Sequence, residues 1–199
     1  MAGGPHLTRH LYLVRHGETL FNVKGLIQGW CDSPLTDLGW EQARRAGAYL
    51  EREGVVFDHA YASTLTRTQR TLECITGMPY SCEDGLREWY FGTFEAEHSN
   101  IMFPKPWGDF FKRFGGEGQM EVRRRMVETL SEIMRRPGHE RVLAVSSGSS
   151  CREFLAHALS YEDSGRVDLP GNCSIMLFSF DGSAFSLDRI VTSEEQREG

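Results

Sequence analysis

A short apolar run, Leu11-Tyr12-Leu13-Val14, ends at Arg15, His16 and Gly17, followed by Glu18 and Thr19. A neutral, oriented imidazole at such a place can attack phosphorus. The neighbouring guanidinium suits phosphate, because its fork donates two charge-assisted hydrogen bonds to the non-bridging oxygens. Gly17 permits close backbone approach to a ligand. In an open parallel sheet, ligands bind at the carboxyl ends of the strands, which is where this segment falls if the apolar run is a strand. Taken alone, the four letters are also compatible with an accidental Arg-His pair at a strand end.

The rest of the chain supplies elements that can hold such a site. His10 to Val14 reads as a buried strand. Thr36 is a helix cap, with Trp40, Ala43, Gly47 and Leu50 recurring behind it on one face and Gly54 as the stop. Phe57 to Ala62 is a second strand, and Ser63 or Thr64 can cap a helix running to about Ile75. Residues 120–136 form an amphipathic helix with Val122, Met126, Leu130 and Ile133 as its apolar stripe, stopped by Pro137-Gly138. Arg141 to Val145 is a third strand, leading into the serine-rich turn 146–150. A helix follows, with Cys151, Phe154, Leu155, Ala158 and Leu159 inward. Ser174 to Phe180 and Ala184 to Val191, separated by Asp181-Gly182-Ser183, read as a terminal hairpin. This alternation predicts an α/β fold: a three-layer α/β/α sandwich around a central, mostly parallel sheet with an antiparallel edge strand, one domain over residues 1–199. The polar tail from 192 to 199 is expected to fray. Residues 89–118, crowded with aromatics between Pro and Gly, are either an irregular part of the core or a lid over a ligand.

Composition narrows the function. The 199 residues carry a net charge of −6, which argues against a nucleic-acid binder held by phosphate neutralisation. A small anionic substrate remains compatible, since local arginines can make a positive pocket on an acidic protein. The five cysteines are odd in number and none has CxxC spacing, so reduced thiols and a cytoplasmic protein are expected. No basic, apolar leader and no run of about 18 apolar residues is seen, so neither a signal peptide nor a membrane partner is expected. No metal or other cofactor is expected: HExxH, zinc-spaced cysteines and an EF-hand loop are absent, and His6 and His10 sit before or at a strand.

Arg15-His16-Gly17-Glu18-Thr19 resembles the signature of the histidine phosphatase superfamily, the phosphoglycerate-mutase-like group. Further segments resemble the family in order. They are Asn22, six residues after His16; the loop Gly29 to Thr36; Ala62 to Thr71; Leu86 to Gly92; and Gly115-Gly116-Glu117 with the helix containing Arg125. The resemblance covers about residues 8–160. It implies that His16 takes the phosphoryl group, with Arg15, Arg67 and Asn22 on the non-bridging oxygens. It further implies that Glu88 protonates the leaving oxygen and then assists water. The implied ligand is a small phosphorylated metabolite.

One departure concerns the chemistry. Family members usually carry a second catalytic histidine after the late strand, in Val-Ser-His-Gly; here Val145-Ser146-Ser147-Gly148 places Ser147 there, with Gly148 beside it on the substrate side. Serine donates one neutral hydrogen bond and no positive charge. Losing one donor to a developing oxyanion costs about 10²–10³ in rate, so turnover is expected to be impaired, as in a substrate-trapping variant or a weakly active natural relative. His139 and His157 are not at the matching site, whereas His98, in the aromatic segment, is a possible substitute. A smaller departure is Ala96, where the family often has glycine. Three other readings stay open: a serine hydrolase using the turn at 146–148, a non-catalytic module that binds phosphorylated ligands, and a phosphoglycerate mutase. The last is disfavoured by the short stretch between Glu88 and the late strand.

Overall fold

The computed structural model describes residues 8–102, 104–162 and 167–197. In chain order the main elements are β1 (Arg9–Arg15), α1 (Leu20–Lys24), α2 (Asp37–Arg52), β2 (His59–Ser63), α3 (Thr66–Ile75), β3 (Ser81–Glu83), α4 (Gln119–Arg135), β4 (Arg141–Ser146), α5 (Gly148–Ala158), β5 (Ile175–Phe180) and β6 (Phe185–Val191). The strands form one sheet in the order β3-β2-β4-β1-β5-β6. β1 to β4 are mutually parallel, while β5 runs antiparallel to both β1 and β6. This is the α/β sandwich expected from the sequence.

Alternation along the central strands explains the layers. Leu11 and Leu13 of β1, with Val142 and Ala144 of β4, face Met126, Leu130 and Phe154 of α4 and α5. Val14, Leu143 and Val145 point the other way, onto Ala43, Ala46, Leu50 and Leu72 of α2 and α3. A strand buried on both faces reads as a continuous apolar run rather than an alternating one, which is how β1 and β4 appear in the sequence. Among the described residues, no helix is long and apolar enough to cross a membrane.

Several local expectations are corrected. α3 is not capped by Ser63 or Thr64; its first N–H, on Thr66, donates to Asp32 Oδ2 at 2.5 Å from a distant loop. The tail does not fray as far as 197: a 3₁₀ turn at Glu195–Arg197 buries Gln196, whose Nε2 donates to Cys173 O at 2.8 Å. Residues 198–199 lie outside the described residues. The short elements α1 and β3 were not expected. The aromatic segment is a small third core, in which Trp89, Phe91 and Phe111 pack with Ile27 and Val122, and Phe94, Met102, Trp107 and Phe110 pack against them. Phe103 lies outside the described residues. Within this segment Ala96 has φ of 66°, a left-handed conformation that favours glycine.

Candidate active site

Sheet register brings the two sequence signals together. β1 and β4 pair in parallel, Arg15 opposite Ser146, so the next residues, His16 and Ser147, leave the sheet side by side at its carboxyl end. His16 N donates to Ser146 O at 3.0 Å. The same end of the sheet opens into a cavity of about 270 Å³ lined by Arg15, His16, Asn22, Gln28, Glu88 and Gly148, with Phe91, Met102 and Trp107 of the aromatic segment as its apolar wall.

His16 is buried, and its Nδ1 lies 2.8 Å from Gly17 O. A carbonyl only accepts, so Nδ1 carries the proton and Nε2 keeps its lone pair. Burial, reinforced by the charges of Arg67 and Arg15, holds the imidazole pKa well below its ordinary value. His16 is therefore neutral, as a nucleophile must be.

Arg67 is buried and Arg15 partly buried, and the two are differently held. Arg15 Nη1 donates to Pro170 O at 2.6 Å, while its Nε has no partner among the described residues. Burial draws its pKa down, against the attraction of Glu88. Arg67 Nη1 donates to Cys31 O at 2.9 Å and Asp32 Oδ1 at 3.0 Å, and Nη2 to Gly29 O at 2.7 Å and Ser147 Oγ at 3.3 Å; its Nε is likewise unpartnered among the described residues. Asp32 thus ties both the arginine and the start of α3 to one loop. Arg67 and Ser147 stand behind the cavity lining, in contact with each other.

Asn22 is preset by a capping box: Thr19 caps α1, and Asn22 Oδ1 accepts from Thr19 N at 3.1 Å. Oδ1 also accepts from Asn172 Nδ2 at 3.4 Å, which leaves the Asn22 amide N–H groups as its donors to a ligand. Asn172 was missed in the sequence. Its Nδ2 also donates to His16 O at 3.0 Å, and the only local signal is a Pro-Gly-Asn turn before the last hairpin.

Glu88 sits on the N-terminus of α5. Its Oε2 accepts from Ser149 N at 2.8 Å, and Oε1 from Ser150 N and Trp89 N, each at 2.8 Å, and from Ser150 Oγ at 3.2 Å. Arg125 fixes the loop beneath, donating to Glu88 O at 2.8 Å and Arg87 O at 2.7 Å while paired with Glu117 at 2.7 Å.

Other expected residues are placed differently. Gly17 does not line the cavity; a Cβ there would lie 2.5 Å from Gly39 O, so its close approach is to α2 rather than to a ligand. Gly148 does line it, and a Cβ there would lie 3.1 Å from Arg15 Nε. His98 is exposed, pairs through its backbone with Leu26 and is not part of the lining. Glu95, a second carboxylate in the aromatic segment, accepts from the backbone N–H groups of Gly29, Trp30, Cys31 and Phe91 at 3.0–3.1 Å, so it shapes the loop behind Arg67. The serine-hydrolase reading finds no support: Ser146 Oγ donates to Leu86 O, Ser147 Oγ meets Arg67, and among the described residues neither hydroxyl is bonded to a histidine ring. Among the described residues there is also no group of three or more His, Cys, Asp or Glu that could hold a metal ion.

The profile of the histidine phosphatase superfamily (branch 1) matches residues 11–193. The chain belongs to this superfamily. YhfR of Bacillus stearothermophilus is 30% identical, superposes with a TM-score of 0.78, and is matched over 89% of this chain and 94% of its own. The 2,3-bisphosphoglycerate-dependent phosphoglycerate mutase of Azorhizobium caulinodans is 36% identical over 161 residues, 78% of this chain and 67% of the mutase. The mutase of Nitrobacter winogradskyi is 40% identical over 107 residues, 51% of each chain. The chain thus spans between about half and two thirds of the length of these mutases. The phosphoserine phosphatase of Entamoeba histolytica, solved in complex with 3-phosphoglyceric acid, shares the fold at a TM-score of 0.80 and 24% identity, covering 94% of this chain and 98% of its own. Proteins similar to the chain thus include ones named as mutases and ones named as phosphatases.

Proposed function

We propose that this chain, read as one domain, is a phosphomonoester hydrolase acting through a phosphohistidine on His16, with turnover lowered by Ser147. The observation that carries the reading is a neutral imidazole oriented through Nδ1, in the field of one buried and one partly buried guanidinium group, each with a buried Nε–H that has no partner among the described residues. Buried donors without partners are costly unless a ligand satisfies them, and an anion matches both.

In the first step His16 Nε2 attacks phosphorus in line with the ester oxygen. The N–P bond forms, the P–O bond breaks, and Glu88 gives its proton to the leaving alkoxide. Arg15, Arg67 and Asn22 hold the non-bridging oxygens as charge moves onto them, a preorganised electrostatic role. The 3.3 Å bond from Arg67 to Ser147 is the longest that this guanidinium makes, and a phosphoryl oxygen is the stronger acceptor. In the second step water attacks phosphorus, the N–P bond breaks, Glu88 takes the water proton, and phosphate leaves. Gly148 keeps the α5 N-terminus open beside Arg15. The substrate is a small phosphorylated metabolite, with neither nucleic acid nor membrane as partner, and the five free thiols suit a cytoplasmic setting.

The mutase relatives favour a second reading, in which the phosphoryl group on His16 returns to another hydroxyl of the ligand rather than to water. It uses the same nucleophile. A crystal soaked in orthovanadate tests what the two readings share. Vanadium is expected within bonding distance of His16 Nε2, with oxygens on Arg15 and Arg67. An anion bound elsewhere, with these groups unchanged, overturns the assignment.

A further inference from the structure

Residues 170–174, just before β5, reach three of the residues assigned to the phosphoryl group without lining the cavity themselves. Pro170 O accepts from Arg15 Nη1 at 2.6 Å. Cys173 N donates to Arg15 O at 3.0 Å, and Ser174 O accepts from Arg15 N at 3.3 Å. Asn172 Nδ2, between them, donates to His16 O at 3.0 Å and to Asn22 Oδ1 at 3.4 Å. The segment is held in shape from behind. Ser174 N closes a turn onto Gly171 O at 3.1 Å, and Gln196 Nε2 donates to Cys173 O at 2.8 Å. Cys173 is buried with φ of 56°, a left-handed conformation uncommon for a residue with a side chain. Such a conformation persists where the surroundings over-determine it, and the bonds on both its N–H and its C=O do so.

Donors and acceptors fix the orientation of both amides. His16 O can only accept, so Asn172 faces it with Nδ2. The same NH₂ group then requires an acceptor on Asn22, which is Oδ1. Thr19 N, which can only donate, makes the same demand at 3.1 Å. Asn22 lines the cavity, and its own NH₂ group is the part left for a ligand. A flipped Asn22 would set that NH₂ group against two donors and offer an anion an acceptor.

We infer that Asn172 is a positioning residue for the reaction: by joining His16 O to Asn22 Oδ1, it keeps the Asn22 amide donors turned to the non-bridging oxygens. This rests on the phosphate-site reading and deepens it. The alternative role of Asn172 is structural, tying the turn before β5 to the end of β1 with no effect on anion binding.

Orthovanadate titrated into the full chain decides between the two roles. The first readout is a double-mutant cycle on its affinity. Asn172→Ala is expected to weaken vanadate binding about fivefold, the worth of one neutral hydrogen bond. In an Asn22→Ala background the same substitution should cost less than about twofold, because the group it acts through is gone. Equal losses in the two backgrounds overturn the inference and leave the phosphate site standing. So does a lower melting temperature with unchanged vanadate affinity. The second readout needs no substitution at the strap. In ¹⁵N nuclear magnetic resonance spectra of the unaltered chain, vanadate should move the side-chain amide resonances of Asn22 further than those of Asn172. The reverse order would make Asn172 itself the contact and overturn its positioning role. If vanadate does not bind at all, the phosphate-site reading fails and takes the inference with it.

Discussion

Arg67 Nη2 donates to Ser147 Oγ across 3.3 Å, joining the end of β4 to the guanidinium that presses on His16. On the proposed reading, an imidazole at position 147 would add a second, charged donor to the phosphoryl group. Ser147→His is expected to raise phosphomonoester turnover about 10²-fold or more, by the magnitude of an oxyanion donor. Steady-state kinetics on the folded variant checks this; an unchanged rate would show that another group already fills the role.

Glu88 carries two duties that a substitution separates. As an acid, it is needed most for poor leaving groups. Glu88→Gln should therefore slow hydrolysis of alkyl phosphates far more than that of nitrophenyl phosphate, whose phenolate leaves with little help. As an acceptor, it satisfies Ser149 N, Ser150 N and Trp89 N, and an amide can replace only one of its oxygens. The same variant should lose about 1–3 kcal/mol of stability from the donor left unpaired. Equal losses on both ester types would assign Glu88 a purely structural role.

The burial of His16 has a pH signature. An unfolded imidazole takes a proton below about pH 6.5, whereas folded His16 stays neutral to much lower pH. Below 6.5 the unfolded state binds the extra proton, so this residue's contribution to stability is present above that value and is lost as the pH falls toward the folded pKa. In the anion-free protein, the His16 ring resonance should titrate with a midpoint well below 6.5 in a nuclear magnetic resonance titration. A midpoint near 6.5 would mean a solvated ring.

Ala96 occupies a left-handed conformation whose cost for a residue with a side chain is about 1–2 kcal/mol. Ala96→Gly should recover about 1 kcal/mol, less the entropy of freeing the unfolded chain. For a protein of this size that is a rise of about 2–4 °C in Tm, with activity unchanged. A fall in Tm would show that the backbone relaxes once the methyl group is gone.

How far the sequence reaches can be judged from particular residues. β1, β4 and the helices behind them were legible because their apolar periodicity is local, and the partnership of His16 with Ser147 follows once the two strands are parallel neighbours. What stayed hidden depends on long-range hydrogen bonds that leave no periodic trace. Asp32 caps α3 from 34 residues away, Asn172 reaches back to His16, and Glu95 gathers four backbone donors from two loops. Gly17 was legible as a close approach but not as an approach to Gly39, because spacing does not say what lies opposite. Gln196 was hidden by the polarity of its own tail.

The proposed mechanism requires that His16 Nε2 become covalently phosphorylated. The direct measurement is acid-quench-free trapping: the chain is incubated with a ³²P-labelled alkyl phosphate, denatured in base, and the labelled peptide is located. Phosphohistidine survives base and is lost in acid. An acid-labile label is expected on the peptide containing His16, persisting because Ser147 slows its hydrolysis, and absent in His16→Ala. A label on another residue, or phosphate release that continues undiminished in His16→Ala, would contradict it.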